Sequence, residues 1–350
     1  MPEFRRYHVM KNIIMKSYQI SWKSFMSKKI LSACLMLCLS TSNLYAKIPR
    51  FKHYVIFGDS LTDVGNYTTN SNNCIYFNAP ITNHPINARY TNTTWENAGR
   101  LKNILSSNEG GNNYAVAGYT SAQILTSVKN YKINHHADSD TLYIIWAGTN
   151  DVLYAIGNHW PQKDVTGALL DGTRNIILSL ESLYDIGARN FLIIGLMDLS
   201  HTPMATYSHA SQPNLIGIFS DKDRTNLAQA CTKWNNILFQ KNPNPNPKII
   251  EIFKQKHPSS HVYGWDPNPI LTQITQDPAR FGYPNQQTFN TKNSKIEDSL
   301  YSVAQITYCG NTANNADHNP EHYIFYNFIH PTPSVYRKME IEMMNNAAEF

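Results

Sequence analysis

Two things are scarce in this chain: cysteine and charge. Of its five cysteines, Cys34 and Cys38 fall in the N-terminal segment, leaving Cys74, Cys231 and Cys309 in the body. None of these forms a C-x-x-C pair, which argues against a zinc framework. In an oxidising compartment three cysteines allow one disulfide and leave one thiol, and the pairing stays open. The formal net charge of +5 is concentrated at one end. Residues 1–46 hold seven Lys or Arg and one Glu, whereas the remaining 304 residues hold 23 basic and 24 acidic side chains. A body that sums to −1 has no basic field for a nucleic-acid backbone. Internal repeats are absent too, and nothing in the body marks a second core, so one domain is expected.

The basic end has its own logic. Lys28 and Lys29 precede an apolar run of about ten residues, Ile30–Leu39, and Leu44-Tyr45-Ala46 closes it with a small residue. That is the layout of a secretory signal peptide over residues 26–46. The run is about half the length that spans a bilayer, so no transmembrane segment is expected. Residues 1–25 fit an N-terminal extension upstream of a start at Met26. A secreted or periplasmic protein with its folded domain in residues 47–350 is the expectation.

With 42% apolar residues, that domain has ample material for a core. Tyr54–Phe57, Leu142–Ala147 and Phe191–Leu196 are short apolar runs that read as buried strands, and Lys248–Phe253 reads as a fourth. Between the second and third, Leu169, Ile176, Ile177, Leu180, Leu183 and Tyr184 recur at helical spacing, and Gly187 is placed to end the helix. Leu227–Phe239 is a further amphipathic helix. Strands alternating with helices predict a parallel sheet covered on both faces. Ligands of such sheets sit beyond the carboxyl ends of the strands. Two of those ends are polar: Gly58-Asp59-Ser60 and Gly148-Thr149-Asn150-Asp151. Long polar segments, Thr68–Thr94 and Pro267–Asn319, read as loops and short elements around the same end.

Those ends carry the types that acyl transfer requires. A serine nucleophile needs a base for its proton and donors for the oxyanion that develops on the attacked carbonyl. Ser60 follows a strand and a turn-permitting glycine, although the second glycine of a G-x-S-x-G elbow is missing. Gly118, in "NYAVAG", offers a bare backbone N–H. Asn150, in "WAGTND", offers a side-chain amide. His330, in "FYNFIHPT", offers a base.

In that order these segments resemble the blocks of the GDSL, or SGNH, hydrolases. "FGDSLTDVGN", "NYAVAG", "IIWAGTND" and "FYNFIHPT" are similar to the four blocks, and the likeness extends along residues 50–340. The resemblance implies a flavodoxin-like three-layer α/β/α sandwich. It implies ester hydrolysis through an acyl-serine on Ser60, with His330 as base and the Ser60 N–H, the Gly118 N–H and Asn150 as oxyanion donors. It implies no cofactor and no metal. The secreted bacterial members with "GDSLTDVGN" and "WAGTND" imply a lipid ester as substrate, met at a membrane surface by a monomer: phospholipase, lysophospholipase or lipid acyltransferase. Esterases of acetylated sugars and small esters form the alternative. Ile75, Phe77, Trp160, Phe219, Tyr283 and Phe289 are among the residues that could line an acyl groove, and each could equally be ordinary core or a platform for stacking a sugar.

One position departs from the family. Its last block reads D-x-x-H, and here Asn327 stands three residues before His330. One helical turn brings both side chains to one side. An amide oxygen can accept the imidazole Nδ1–H, but it cannot stabilise an imidazolium as a carboxylate does. Asp to Asn in a serine-protease triad costs about 10⁴ in kcat. Three readings follow: Asn327 orients His330 adequately, another carboxylate (Asp198, Asp317 or Glu321) replaces it, or the chain binds lipid with weakened catalysis.

Overall fold

The computed structural model describes residues 47–64, 66, 99–101, 104–206, 220–239, 249–283, 324–325 and 329–350. Residues 1–46, the segment 67–98, Asn327, Cys74 and Cys309 lie outside that set, as do most of the loop residues expected to line an acyl groove.

Five strands form one sheet in the order β1-β2-β3-β4-β5. β1 (His53–Gly58), β2 (Thr141–Trp146), β3 (Asn190–Ile194) and β4 (His261–Trp265) run parallel. The two-residue β5 (Ala348–Glu349) closes the edge antiparallel to β4. Asn113 makes a parallel bridge to Ile56 on the free side of β1. The segment that follows β1 in the chain therefore lies outside it, which gives the 2-1-3-4-5 sense of a flavodoxin-like sheet and a topological switch point at β1.

Every residue of β2 and β3 is buried. A sheet with water on one face would alternate, so helices must cover both faces. They fall into two packing groups. One comprises α1 (Ser121–Asn134), α2 (Thr149–Gly157), α3 (Gln162–Asp185), α4 (Asp221–Phe239) and α5 (Ile249–Lys256). The other pairs α6 (Asn268–Gln276) with α7 (Pro333–Asn346). Leu142, Ile144 and Ile145 are fully buried in β2, each worth ~1.5–3 kcal/mol of burial. The expected α/β sandwich with a mainly parallel sheet is the observed architecture.

One expected strand is a helix. Lys248–Phe253 belongs largely to α5, which buries Ile250 and Phe253 and leaves Ile252 about half exposed. That i, i+3 burial is helical; a strand would have buried alternate residues. The true fourth strand is His261–Trp265. It carries Gly264 because Phe350 and Phe239 lie against it, and a β-carbon there would come within 2.5 Å of the Phe350 ring. The polar segment from Pro267, expected to hold loops and short elements, contributes the short helix α6.

Candidate active site

β1 ends at Gly58, and the chain turns at once. The backbone carbonyl of Asp59 accepts the N–H groups of Thr62 and Asp63, at 3.1 and 3.0 Å, and its carboxylate Oδ1 accepts that of Leu61 at 2.9 Å. This turn is wrapped around residue 59, and Ser60 is its tip. The N–H of Ser60 has no acceptor among the described residues. Asp59 is fully buried, and burial pushes its carboxyl up to about 7 against the opposing pull of the Leu61 N–H.

His330 comes from the far end of the chain. Ile324 and Phe325 anchor that segment in the core, and Phe325 bridges Pro331. Pro331 restricts the backbone of His330 to extended conformations. Thr332 then caps α7, with Pro333 in the first turn. The imidazole is thus held three residues before a helix start. Its Nε2 lies 2.7 Å from Ser60 Oγ, joining residues 270 positions apart. Burial pushes the His330 pKa down to about 3, so the ring is neutral at physiological pH.

Asn150 occupies the first turn of α2. Gly148 enables the turn into this helix: its φ is +114°, and a β-carbon there would come within 2.2 Å of Trp234. Asn150 Nδ2 donates to the Tyr119 carbonyl at 2.8 Å and keeps a second N–H. The next residue, Asp151, accepts the Ser121 N–H at 2.8 Å and the Ser121 hydroxyl at 2.6 Å. Burial raises the Asp151 pKa, while these Ser121 hydrogen bonds pull it back.

Gly118 lies in the segment between Asn113 and α1, with φ +83° and open space where a side chain would sit. A residue other than glycine would be strained there by its backbone, not by crowding. The N–H groups around it are accounted for one by one. Tyr114 donates to Ile56, Ala115 to the Asn113 side chain and Val116 to Gly58. Ala117 donates to Asp63, Tyr119 to Val116, Thr120 to Gln123 and Ser121 to Asp151. Across eight consecutive residues, Gly118 alone has no acceptor among the described residues.

Ser60 and His330 are therefore in direct contact, and Asn150 is bonded to the residue after Gly118. Asn327 lies outside the described residues. Asp198 does not stand in for it: its carboxylate caps Ser200, with bonds of 3.0 Å to the N–H and 2.6 Å to the hydroxyl, and pairs with His201. Asp317 and Glu321 lie outside the described set. Sequence reasoning overlooked Asp59, Asp63 and Asp151, although all three sit inside the segments it quoted. Tyr283, one of the residues open to either a groove or the core, is core, and its hydroxyl lies 2.9 Å from Ser334 Oγ. Trp160 is partly exposed. Cys231 is a free thiol sealed in the core, and burial pushes its pKa up to about 12.

Among the described residues no three His, Cys, Asp or Glu gather as metal ligands would, and no helix is long and apolar enough to cross a membrane. Tyr119, Tyr114, Gln123, Tyr131 and His135 help line an open groove of about 360 Å³ beside α1.

A family model described as GDSL-like lipase/acylhydrolase matches residues 54–342. The chain is 23% identical over 211 residues to a GDSL esterase/lipase of Arabidopsis thaliana, covering 59% of this chain and 52% of that protein. It is 23% identical over 232 residues to GDSL esterase/lipase 6 of the same plant, covering 64% and 56%. An uncharacterized protein from the trpE-trpG intergenic region of Pseudomonas putida matches at 23% over 333 residues, covering 85% and 48%. The chain spans about half the length of these curated relatives. A crystal structure of a lipolytic G-D-S-L family member from Veillonella parvula DSM 2008 aligns at 13% identity with a TM-score of 0.40, covering 83% of this chain and 94% of that one.

Proposed function

The chain belongs to the GDSL-like lipase/acylhydrolase family, and on that footing we propose that it is a secreted serine hydrolase of lipid esters, acting as a lysophospholipase or phospholipase A. The 2.7 Å contact between Ser60 Oγ and His330 Nε2 carries the reading.

In the proposed reaction Ser60 Oγ attacks the ester carbonyl carbon and its proton passes to His330 Nε2. The carbonyl oxygen becomes an oxyanion. The N–H groups of Ser60 and Gly118, both without acceptors among the described residues, and the second N–H of Asn150 are its donors. Collapse of the adduct expels the alcohol, which takes the proton from His330 and leaves an acyl-serine. Water then attacks that ester, His330 takes its proton, and Ser60 leaves with it as the acid departs. An acyl-accepting alcohol in place of water gives acyl transfer by the same steps.

His330 is neutral and ready to accept a proton, but its burial opposes the imidazolium that results. A carboxylate would offset that cost, and the family's aspartate position is Asn327 here. Asn327→Asp is expected to raise kcat. The signal segment 26–46 would deliver the protein out of the cytoplasm.

The test is fatty-acid release from lysophosphatidylcholine by the purified protein beside its Ser60→Ala variant. Release by the parent alone supports the proposal. Equal release by both removes Ser60 from the chemistry. The Tyr- and amide-lined groove along α1, which Tyr119 helps form, favours one second reading, a carbohydrate esterase. A rate that rises with acyl length supports the lipid substrate, and a steep fall beyond acetyl supports the sugar ester.

A further inference from the structure

Gly118 is useful as an oxyanion donor only if its peptide is aimed, and the main chain there has little to aim it. It lies in no helix or strand, has a left-handed φ, and has open space around it. What holds it comes from elsewhere.

On its N-terminal side the holder is Asp63, three residues after Ser60 and fully buried. Its Oδ2 accepts the Ala117 N–H at 2.8 Å, and its Oδ1 accepts the Asn66 N–H at 2.7 Å. Asn66 turns back to the same segment: its amide donates to the carbonyls of Asn113 and Ala115 at 2.7 and 2.8 Å. Asn113 completes the exchange by donating to the Thr62 carbonyl at 2.7 Å. The serine turn and the segment before Gly118 are thus stitched together by side chains of both.

On the C-terminal side the holder is Asp151, whose two oxygens take the N–H and the hydroxyl of Ser121. Asn175 donates to the same hydroxyl at 3.1 Å. Between the two carboxylates, Asn150 grips the Tyr119 carbonyl. The chain is fixed at 117, 119 and 121 by residues of the serine turn and of the Asn150 helix.

We infer that Asp63 and Asp151 are positioning residues for the Gly118 N–H, clamping its loop from both sides so that the donor keeps one orientation relative to Ser60. Neither touches substrate. This deepens the serine-hydrolase reading and rests on it. A carboxylate is needed at 63 because two N–H groups arrive, one at each oxygen. An amide has one acceptor there, so its NH₂ would meet a donor head on. At 151 the demand is softer, since the Ser121 hydroxyl can rotate and accept instead.

The clamp predicts a graded result in the full-length protein. Asp63→Asn should lower kcat at least tenfold, with KM within about threefold of the parent. Asp151→Asn should lower kcat less, again with KM little changed. A second readout uses no substrate: the rate at which an uncharged p-nitrophenyl phosphonate labels Ser60. Its phosphoryl oxygen needs the same donors as an oxyanion, so that rate should fall by the same factor as kcat. A merely structural role would reduce the number of sites labelled at completion and leave kcat per labelled site unchanged, which would overturn the inference. If Asp63→Asn does not fold, Asp151→Asn carries the test by the same two readouts. Ser60→Ala separates the levels. If Ser60→Ala hydrolyses esters like the parent, or if the phosphonate does not label the parent at Ser60, the serine-hydrolase reading fails and the clamp with it. If Ser60→Ala is inactive while both carboxylate variants keep parental kcat and labelling rates, the clamp alone is wrong.

Discussion

Lowering the pH should cost this fold stability through one residue, His330. Burial takes its pKa from the ordinary 6.5 to about 3. At 1.36 kcal/mol per pKa unit, the folded protein disfavours the imidazolium by ~5 kcal/mol. The sign follows from linkage. The unfolded chain binds a proton at His330 below pH 6.5, and the folded chain does not until near pH 3. The stabilising effect of a neutral ring is therefore complete above 6.5 and is lost as the pH falls through the window down to 3. By pH 4 the loss is ~3 kcal/mol, a large part of the 5–15 kcal/mol typical of a domain. Urea unfolding of the parent and of His330→Gln at pH 7 and pH 4 isolates it, because the carboxylates that titrate in that range are common to both. The parent should lose ~3 kcal/mol more than the variant on acidification. Parallel losses would refute the reasoning. So would an acid limb of kcat/KM at the ordinary histidine value in folded protein, since that would place a protonated ring where burial forbids it.

Two further outcomes follow from the site's neighbours. Asn150→Ala removes one donor and one grip on Tyr119, so kcat should fall about 10²–10³-fold, read by steady-state kinetics on folded protein. Gly148→Ala brings a β-carbon within 2.2 Å of Trp234 at a φ of +114°, and equilibrium unfolding should show a loss of at least ~2 kcal/mol.

Strands β1, β2 and β3 were legible because each is a continuous apolar run between polar turns, as strands buried on both faces must be. β4 was not, because histidine, glycine and tryptophan break the run, and the reason for Gly264 lies in two rings far away in sequence. α5 was misread because "KIIEIF" is short and mostly apolar, and only its packing reveals that Ile252 faces out. The site was legible in its types and order: Ser60, Gly118, Asn150 and His330 all lie in recognisable segments. Asp63 and Asp151 were in view and still missed. They lie close in sequence to the proposed nucleophile and a proposed oxyanion donor, but the Ala117 and Ser121 N–H groups they accept belong to a third segment, and adjacency along the chain gives no hint of that. Asp198 shows the converse, a strand-end carboxylate whose position suggested chemistry and whose bonds are those of a cap.

The isolation of the Gly118 N–H bears on how this site can be mapped. Two of the three oxyanion donors proposed for it belong to the peptide backbone, so side-chain truncation leaves them in place. Ser60→Ala removes the nucleophile while keeping that residue's N–H, and Gly118 has no side chain to remove. An alanine scan would therefore reveal one donor, Asn150, and pass over the others. Exchanging the Gly118 peptide for an ester by semisynthesis would delete its donor with no change of shape, and the rate lost would measure what the backbone contributes.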